Sequence, residues 1–139
     1  MKVVANSNIN FCELKPIPKK ADKITGGIIS NSKDDLEEIC KDIDLEIICK
    51  QGFFTKIKSL IFFVTNKGKD VGDWFSLSID KKGYMPQDNP RYLTVDKFTK
   101  ENILYAAQRA KKNLNKYNWN LPKPKGPVDL ILLAKFFNH

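Results

Sequence analysis

The stretch TKENILYAAQRAKKNLNKY, from Thr99 to Tyr117, has the clearest structural pattern in the chain. Its apolar positions recur at steps of three and four residues, at Ile103, Ala107, Ala110, Leu114 and Tyr117. That spacing predicts a helix with one buried face. Thr99 is suited to cap the first turn with its hydroxyl, and Asn102 stands where a capping box has its Glu or Gln. We therefore predict a helix over 99–117 against which the rest of the fold packs.

The polar side of this predicted helix is basic. Between Glu101 and Asp129 the sequence contains no acidic residue, so the cations there have no partner nearby in the chain. A helix with one dry side and one cationic side is suited to hold an anionic partner. The residues predicted to do so, on the helix and on the segment after it, are Arg109, Lys111, Lys112, Lys116, Lys123 and Lys125. The alternative is a solvated lysine face that only keeps the protein soluble.

The composition is that of a globular protein with excess positive charge. The 139 residues, 15.9 kDa in mass, are 42% hydrophobic and 29% charged, which is typical of a folded protein rather than a disordered one. This length predicts a single domain over 1–139 whose core needs neither disulfides nor metal. The net charge of +8 favours polyanions or acidic proteins as partners.

The cysteines and the hydrophobic runs bear on the compartment. Cys12, Cys40 and Cys49 are odd in number and none pairs at the spacing of a zinc or redox motif, so we expect reduced, mostly buried thiols. The N-terminus has no apolar signal-peptide core, and the most hydrophobic run, 60–64, is too short to span a bilayer. We expect a cytoplasmic or injected protein that has no membrane partner.

Acidic residues gather in one part of the sequence. They are opposed only by Lys41, and they are Asp34, Asp35, Glu37, Glu38, Asp42, Asp44 and Glu46. The first four belong to a helix predicted over about 33–43, with Ser32 as its cap, because the helix dipole favours negative charge in the first turns. If the fold keeps this acidic patch apart from the basic helix, the molecule has an electric dipole that steers a charged partner.

The remaining hydrophobic pattern predicts strands. The run 53–65 becomes continuously apolar, as in a central strand covered on both faces, and Trp74 to Asp80 alternates. These two runs predict a hairpin over about 56–80. Weaker patterns predict strands over 8–14 and 45–49, with extension of the preceding helix as the alternative for 45–49. After a loop closed by Gly26 and Gly27, Ile28 and Ile29 either start a short strand or fill the core.

A last helix is predicted over about 128–137, after a proline-rich extended segment. The predicted fold class is therefore α+β: a small, mainly antiparallel sheet of three to five strands, centred on the hairpin and packed against two or three helices.

One enzyme hypothesis involves a metal-dependent nuclease. Asp80 and Lys82 have the acid-x-Lys form in which a carboxylate holds Mg²⁺ and a lysine steadies the attacking water or the phosphate. Such a site needs further acids, for which Asp73 and Glu38 are available, although Asp73 is predicted to lie more than a strand length from Asp80. The alternative is an ordinary strand end followed by a Lys-Lys-Gly turn.

A second enzyme hypothesis is a metal-free ribonuclease of the kind found among bacterial toxins. It would use Lys, Arg and Tyr side chains, because the only histidine, His139, stands at the end of the sequence where a catalytic role is not expected. The available residues are Lys56, Lys58, Arg91, Tyr92 and Arg109. No spacing among them points to a site, so this hypothesis depends on size and charge alone.

Two further binding hypotheses remain. In one, aromatic residues of the hairpin region, Trp74 and Tyr92 among them, stack on single-stranded nucleic acid beside lysines, although a core position is the stronger interpretation for most of them. In the other, the segment 119–127 and the last helix contact a protein, as in an inhibitor, an immunity protein or a phage or plasmid accessory factor.

We expect a non-enzymatic binding protein for a polyanion, nucleic acid first, that uses the basic helix face and the 119–127 segment. Inhibition of an acidic protein is the second expectation and a small nuclease the third. No cofactor and no metal are predicted, and the sequence does not define the oligomeric state.

Overall fold

The structure is a computed structural model that describes residues 22–52, 55–85, 89–117 and 119–124. The described helices are α1 (Lys23–Asn31), α2 (Lys33–Ile39) and α3 (Lys100–Tyr117). The described strands are β1 (Ile43–Gln51), β2 (Lys58–Asn66), β3 (Gly72–Ile79) and β4 (Tyr92–Thr94). The predicted α+β class is confirmed. The strand predicted over 8–14 and the helix predicted over 128–137 lie outside the described residues.

The four strands form one sheet in the order β1-β2-β3-β4. β2 pairs with β1 and with β3 in antiparallel fashion, and Phe62 stands opposite Phe75 in the predicted hairpin. β4 adds to the free edge of β3 in parallel, through Ser76 opposite Tyr92. The sheet is therefore mixed, although mainly antiparallel as predicted, because β4 runs parallel to β3.

Both faces of the central strand β2 are buried. Leu60, Phe62 and Val64 lie in the core cluster that contains the apolar face of α3, and Ile61 and Phe63 lie in a second cluster on the opposite face. Alternate residues of a strand point to opposite faces, so a continuous apolar run is what burial on both sides requires. The predicted central strand is confirmed.

The segment predicted as a glycine-closed loop with a short strand at 28–29 is instead the helix α1. Its N-cap is Asp22, whose carboxylate accepts a hydrogen bond from the backbone N–H of Thr25 at 2.8 Å. That hydrogen bond lowers the pKa of Asp22 below its ordinary value. Ile29 is buried in the main core. The cap and this burial outweigh the low helix propensity of Gly26 and Gly27.

The helix predicted over 33–43 is shorter than expected. α2 ends at Ile39, and Ile43 already belongs to β1, where it pairs with Asn66. Ser32 occupies the N-cap position but makes no side-chain cap, because its hydroxyl donates to the carbonyl of Ile28 at 2.8 Å. The β-branched run that follows favours a strand over continuation of the helix.

The segment after α3 returns to the sheet. The backbone N–H of Gly72 donates to the carbonyl of Leu121 at 2.9 Å, and the N–H of Leu121 donates back to Gly72 at 2.7 Å. These two bonds join residues 119–124 to the start of β3. They place Trp119 beside the C-terminal end of α3.

Candidate cationic and aromatic site

The helix that carries the candidate site begins with a reciprocal cap. The N–H of Asn102 donates to the Thr99 hydroxyl at 3.2 Å, and the N–H of Thr99 donates to the Asn102 side-chain oxygen at 2.8 Å. This arrangement is a capping box with Asn in the place of Glu, and it fixes the first turn of α3. The prediction of the cap and of the helix is confirmed.

The apolar face of α3 lies on the sheet and sets the rotation of the helix. Its buried residues are Ile103, Ala106, Ala107, Ala110, Asn113 and Leu114. Asn113 adds a polar anchor, because its side-chain amide donates to the carbonyls of Trp74 and Pro90, both at 3.2 Å. The small alanines allow a close approach to the strands, and the anchor limits sliding along them. Residues at the remaining positions are held toward the surface.

Four of these outward positions form one line. Tyr105, Arg109, Lys112 and Lys116 follow each other at steps of four, three and four residues, which places them along one side of the helix. We name Arg109, Lys112 and Lys116 the cationic stripe. From Arg109 to Lys116 the helix rises by about 10 Å, at 1.5 Å per residue.

Arg109 is the most constrained member of the cationic stripe. Its guanidinium carbon lies 5.8 Å from the centre of the Phe75 ring, and Tyr105 contacts the same ring edge-on with centroids 5.9 Å apart. Its Nε is buried and has no hydrogen-bond partner among the described residues. A guanidinium held against an aromatic ring can bind the oxygens of an anionic group such as phosphate through its paired N–H donors.

Lys112 and Lys116 are exposed and carry no ion pair within the described ranges. The Lys116 ammonium lies 5.3 Å from the centre of the Tyr117 ring. Glu38 of α2 borders a surface depression with both lysines but forms no ion pair with them. The charges predicted to face an anion are therefore uncompensated at these two positions.

The other predicted binding residues are placed differently. The Lys111 ammonium donates to the carbonyl of Ile39, which ends α2, at 2.9 Å. Lys123 forms an ion pair with Glu46 at 2.8 Å. Lys125 lies outside the described residues. The structure thus brings Arg109, Lys112 and Lys116 together and uses Lys111 and Lys123 for contacts within the protein.

The acidic patch is not kept apart from the basic helix. Lys100, in the first turn of α3, forms an exposed ion pair with Asp35 of α2 at 3.0 Å. Lys111 joins the end of α2 to the middle of α3. The electric dipole expected from well-separated charges is reduced by this packing, and among the predicted binding residues in the described ranges the cations without a protein partner are those of the cationic stripe.

Arg91 is a functional candidate that the sequence pattern did not single out for a binding site. Its guanidinium makes a two-point ion pair with Asp73, with Nε–Oδ1 at 2.8 Å and Nη2–Oδ2 at 2.9 Å, and both side chains are almost fully buried. The Arg91 guanidinium carbon also lies 4.8 Å from the centre of the Tyr117 ring and 4.9 Å from that of Trp119. This packing links β3, β4, the end of α3 and the segment after it.

Trp119 is held by this cluster and is still accessible. Its ring centre is 5.4 Å from that of Tyr117, with the two planes tilted by 47°. Half of the Trp119 surface is exposed to solvent. Because Lys116 contacts Tyr117, the cationic stripe ends next to an exposed indole. Of the hairpin aromatics, Trp74 and Tyr92 are buried, whereas Tyr84 is 48% exposed and follows the exposed Lys81 and Lys82.

The candidate nuclease residues are not brought together. Asp73 and Asp80 lie at opposite ends of β3, roughly 23 Å apart for seven residues of extended chain. The Asp80 carboxylate accepts hydrogen bonds from the backbone N–H groups of Tyr84, at 3.1 Å, and Met85, at 2.7 Å. Lys82 is exposed in the turn that these bonds stabilise, and Glu38 lies on α2.

Neither metal binding nor cysteine chemistry indicates a further functional site in the described part of the chain. No group of three His, Cys, Asp or Glu residues within it has the arrangement to hold a metal ion. Cys40 and Cys49 form no disulfide within the described ranges and are buried and half-buried, as expected, and burial raises the pKa of the Cys49 thiol. Cys12 lies outside the described residues.

Of the residues proposed for a metal-free ribonuclease, Arg91 and Tyr92 are buried. Lys56 and Lys58 lie at or just before the start of β2.

Compared with known proteins, the chain matches no protein-family model, no curated protein and no solved structure. None of the described helices has the length and apolar character that crossing a bilayer requires.

Proposed function

We propose that this protein binds a polyanion, nucleic acid first, through the cationic stripe of α3. The observation that carries the proposal is the alignment of Arg109, Lys112 and Lys116 along one side of a packed helix, with no carboxylate partner in the described ranges. Basic side chains that bind phosphate release counterions from the polyanion, which supplies most of the affinity of sequence-independent binding.

The electrostatic repulsion among the three cations of the stripe favours a bound anionic ligand. Like charges at three- and four-residue spacing destabilise a helix by about 0.2–0.5 kcal/mol per pair. The fold relieves other cations, because Lys100, Lys111 and Lys123 all have partners in the protein. It does not relieve the cationic stripe. A bound row of phosphates would remove the mutual repulsion of the three side chains.

The surroundings of the stripe favour one side for the ligand. Glu38 borders the depression on the α2 side, next to Lys112 and Lys116, and reduces the positive potential there. Tyr105 and Arg109 continue the line at one end and Trp119 lies beyond the other. We therefore expect the polyanion to follow the line from Tyr105 to Trp119 rather than to enter the depression.

The proposal is tested by reversing two charges at the stripe and two elsewhere. K112E/K116E is expected to weaken binding of a fluorescein-labelled oligonucleotide about tenfold or more at 0.1 M salt. At that salt concentration each phosphate contact raises the association constant by nearly a factor of ten. The matched control is K23E/K97E, which changes the net charge by the same amount. Lys23 and Lys97 are exposed and line the same surface depression. Lys97 precedes the first residue of α3 by three positions, so this depression lies near the N-terminal end of the helix, whereas Lys112 and Lys116 lie in its C-terminal half.

The control decides between a site and a general charge effect. The stripe is supported if K23E/K97E binds within about threefold of the unchanged protein. Equal losses in both double variants would show that only net charge matters and would contradict the proposal. Recovery of the oligonucleotide intact separates binding from the nuclease alternative, and copurification of one acidic protein with little bound nucleic acid would favour the inhibitor alternative.

A further inference from the structure

We propose that the cationic stripe binds single-stranded nucleic acid, with an unpaired base stacked on the exposed part of Trp119 and neighbouring phosphates on Lys116, Lys112 and Arg109. This proposal depends on the proposed function, because it specifies the polyanion that the stripe takes. The observation behind it is an exposed indole three residues after the last cation of the stripe, with Lys116 and Trp119 both packed against the Tyr117 ring.

The Trp119 indole is positioned as a rigid platform. Arg91 packs against its ring at 4.9 Å and is itself fixed by the buried two-point ion pair with Asp73. Tyr117 holds the ring from the helix side at 5.4 Å. A side chain that is already ordered loses little conformational entropy when a ligand binds. Half of the Trp119 surface is nevertheless left in solvent.

The dimensions fit a short run of nucleotides. The stripe from Arg109 to Lys116 rises by about 10 Å, which corresponds to roughly three stacked nucleotides at 3.4 Å each. Trp119 lies past the Lys116 end, and Tyr105, 43% exposed, lies past the Arg109 end. The stripe is thus bounded at both ends by an exposed aromatic ring, as in sites where bases stack beside a charged groove.

The aromatic ends distinguish a single strand from a duplex. In a duplex the bases are paired and stacked on each other, so Trp119 has no base face to contact and only the phosphates remain for the cations. In a single strand every base presents a π-face, and such stacking is insensitive to sequence. We therefore expect a preference for single strands without a strong sequence requirement.

The two tryptophans of the chain provide a direct readout. Trp74 is 1% exposed and Trp119 is 50% exposed, so a ligand that stacks on an indole quenches the emission of Trp119. The probes are a twelve-residue oligodeoxyuridylate, a twelve-residue oligouridylate, a twelve-base-pair duplex and inorganic polyphosphate. The single strands are expected to quench the fluorescence, and polyphosphate is expected to bind without this effect. Quenching by either single strand supports the proposal, and the tighter one identifies the preferred sugar.

Substitution of Trp119 separates stacking from charge. W119A is expected to weaken single-strand binding about tenfold, while its affinity for polyphosphate stays within about twofold, since stacking on one aromatic ring typically contributes a factor of this size. W119F keeps an aromatic ring and is expected to recover most of the affinity. Thermal unfolding of each variant checks that the Arg91 cluster is intact. If W119A does not fold, W119F serves instead: it is expected to bind the single strands without quenching, and quenching that persists in W119F would come from Trp74 and would overturn the stacking proposal.

The outcomes for the two proposals can be told apart. Single strands that bind without quenching, or W119A with unchanged single-strand affinity, would overturn the stacking proposal. If polyphosphate still binds and K112E/K116E still weakens it, the proposed function survives that result. If neither polyphosphate nor any oligonucleotide binds the unchanged protein, both proposals are wrong.

Discussion

Arg91 is the residue on which the most contacts of the candidate site converge. It is 1% exposed, pairs with Asp73 through two nitrogen atoms and lies against the rings of Tyr117 and Trp119. A buried charge is tolerated only when its partner and hydrogen bonds are in place, because removal from water costs several kcal/mol. The pair therefore couples the start of β3 to the end of α3, where the exposed indole lies.

The ion pair predicts a large effect of one substitution. Asp73→Ala leaves Arg91 buried without its carboxylate and is expected to lower the free energy of unfolding by about 3–5 kcal/mol. The matched control is Asp70→Ala, which removes an exposed carboxylate three residues away in the β2–β3 turn and is expected to cost less than about 0.5 kcal/mol. Urea denaturation of the two variants measures both values.

A second result would check the cause of that loss. If D73A and D70A differ by less than about 1 kcal/mol, Arg91 finds another partner and the structural role assigned to the pair is wrong. Replacing both members, as D73A/R91M, removes the uncompensated charge, so the double variant is expected to be more stable than D73A alone.

At the scale of elements, the β2–β3 hairpin depends on Gly72, the first residue of β3. A Cβ atom at Gly72 would lie 1.9 Å from the carbonyl oxygen of Val64 and 3.0 Å from the Cα of Thr65, both backbone atoms of β2. Such a contact cannot be relieved by a side-chain rotation. Gly72 also pairs with Leu121 and so connects the Trp119 segment to the sheet.

Two glycine substitutions are expected to change stability in opposite directions. Gly72→Ala forces the strands apart and is expected to destabilise the fold by about 1–3 kcal/mol or more. Gly27→Ala places its methyl group in open space within α1 and is expected to stabilise it by about 0.5–1 kcal/mol, because Ala has the higher helix propensity. Thermal unfolding gives both signs. A stabilised Gly72→Ala would contradict the close packing of β2 and β3.

The elements that could be predicted from the sequence are those defined by local patterns. α3 has its cap, its apolar spacing and its basic face within nineteen residues, 99–117, and the structure has that helix with its cap. The hairpin around Phe62 and Phe75 follows from alternation and from a continuous apolar run. In both cases one segment contains the whole signal.

The parts that could not be predicted depend on contacts between distant segments. α1 contains two glycines and becomes a helix because Ile29 is buried in the core. β4 has only three residues and exists because the edge of β3 is available for pairing. Within the site, Lys111 meets a carbonyl of Ile39, 72 residues earlier in the chain, so periodicity alone could not separate it from Lys112.

At the scale of the whole molecule, net charge is a poor guide to where a ligand binds. The chain carries a formal charge of +8, but α2 lies against α3 and several of the predicted cations pair with its residues or with Glu46. Of the cations predicted to bind an anion, Arg109, Lys112 and Lys116 are those that have no such partner in the described ranges. The position of the uncompensated charge, rather than the net charge, therefore indicates where an anionic ligand binds.

The salt dependence of oligonucleotide binding tests that claim most directly. For a single strand, the logarithm of the association constant is expected to fall with the logarithm of salt concentration with a slope of about −2, since each of three cations contributes about −0.7. In K112E/K116E the slope is expected to be shallower by about 1.4, and in K23E/K97E it is expected to match that of the unchanged protein. Equal slopes for the unchanged protein and both double variants, or binding that does not change with salt, would contradict the assignment of the cationic stripe as the binding site.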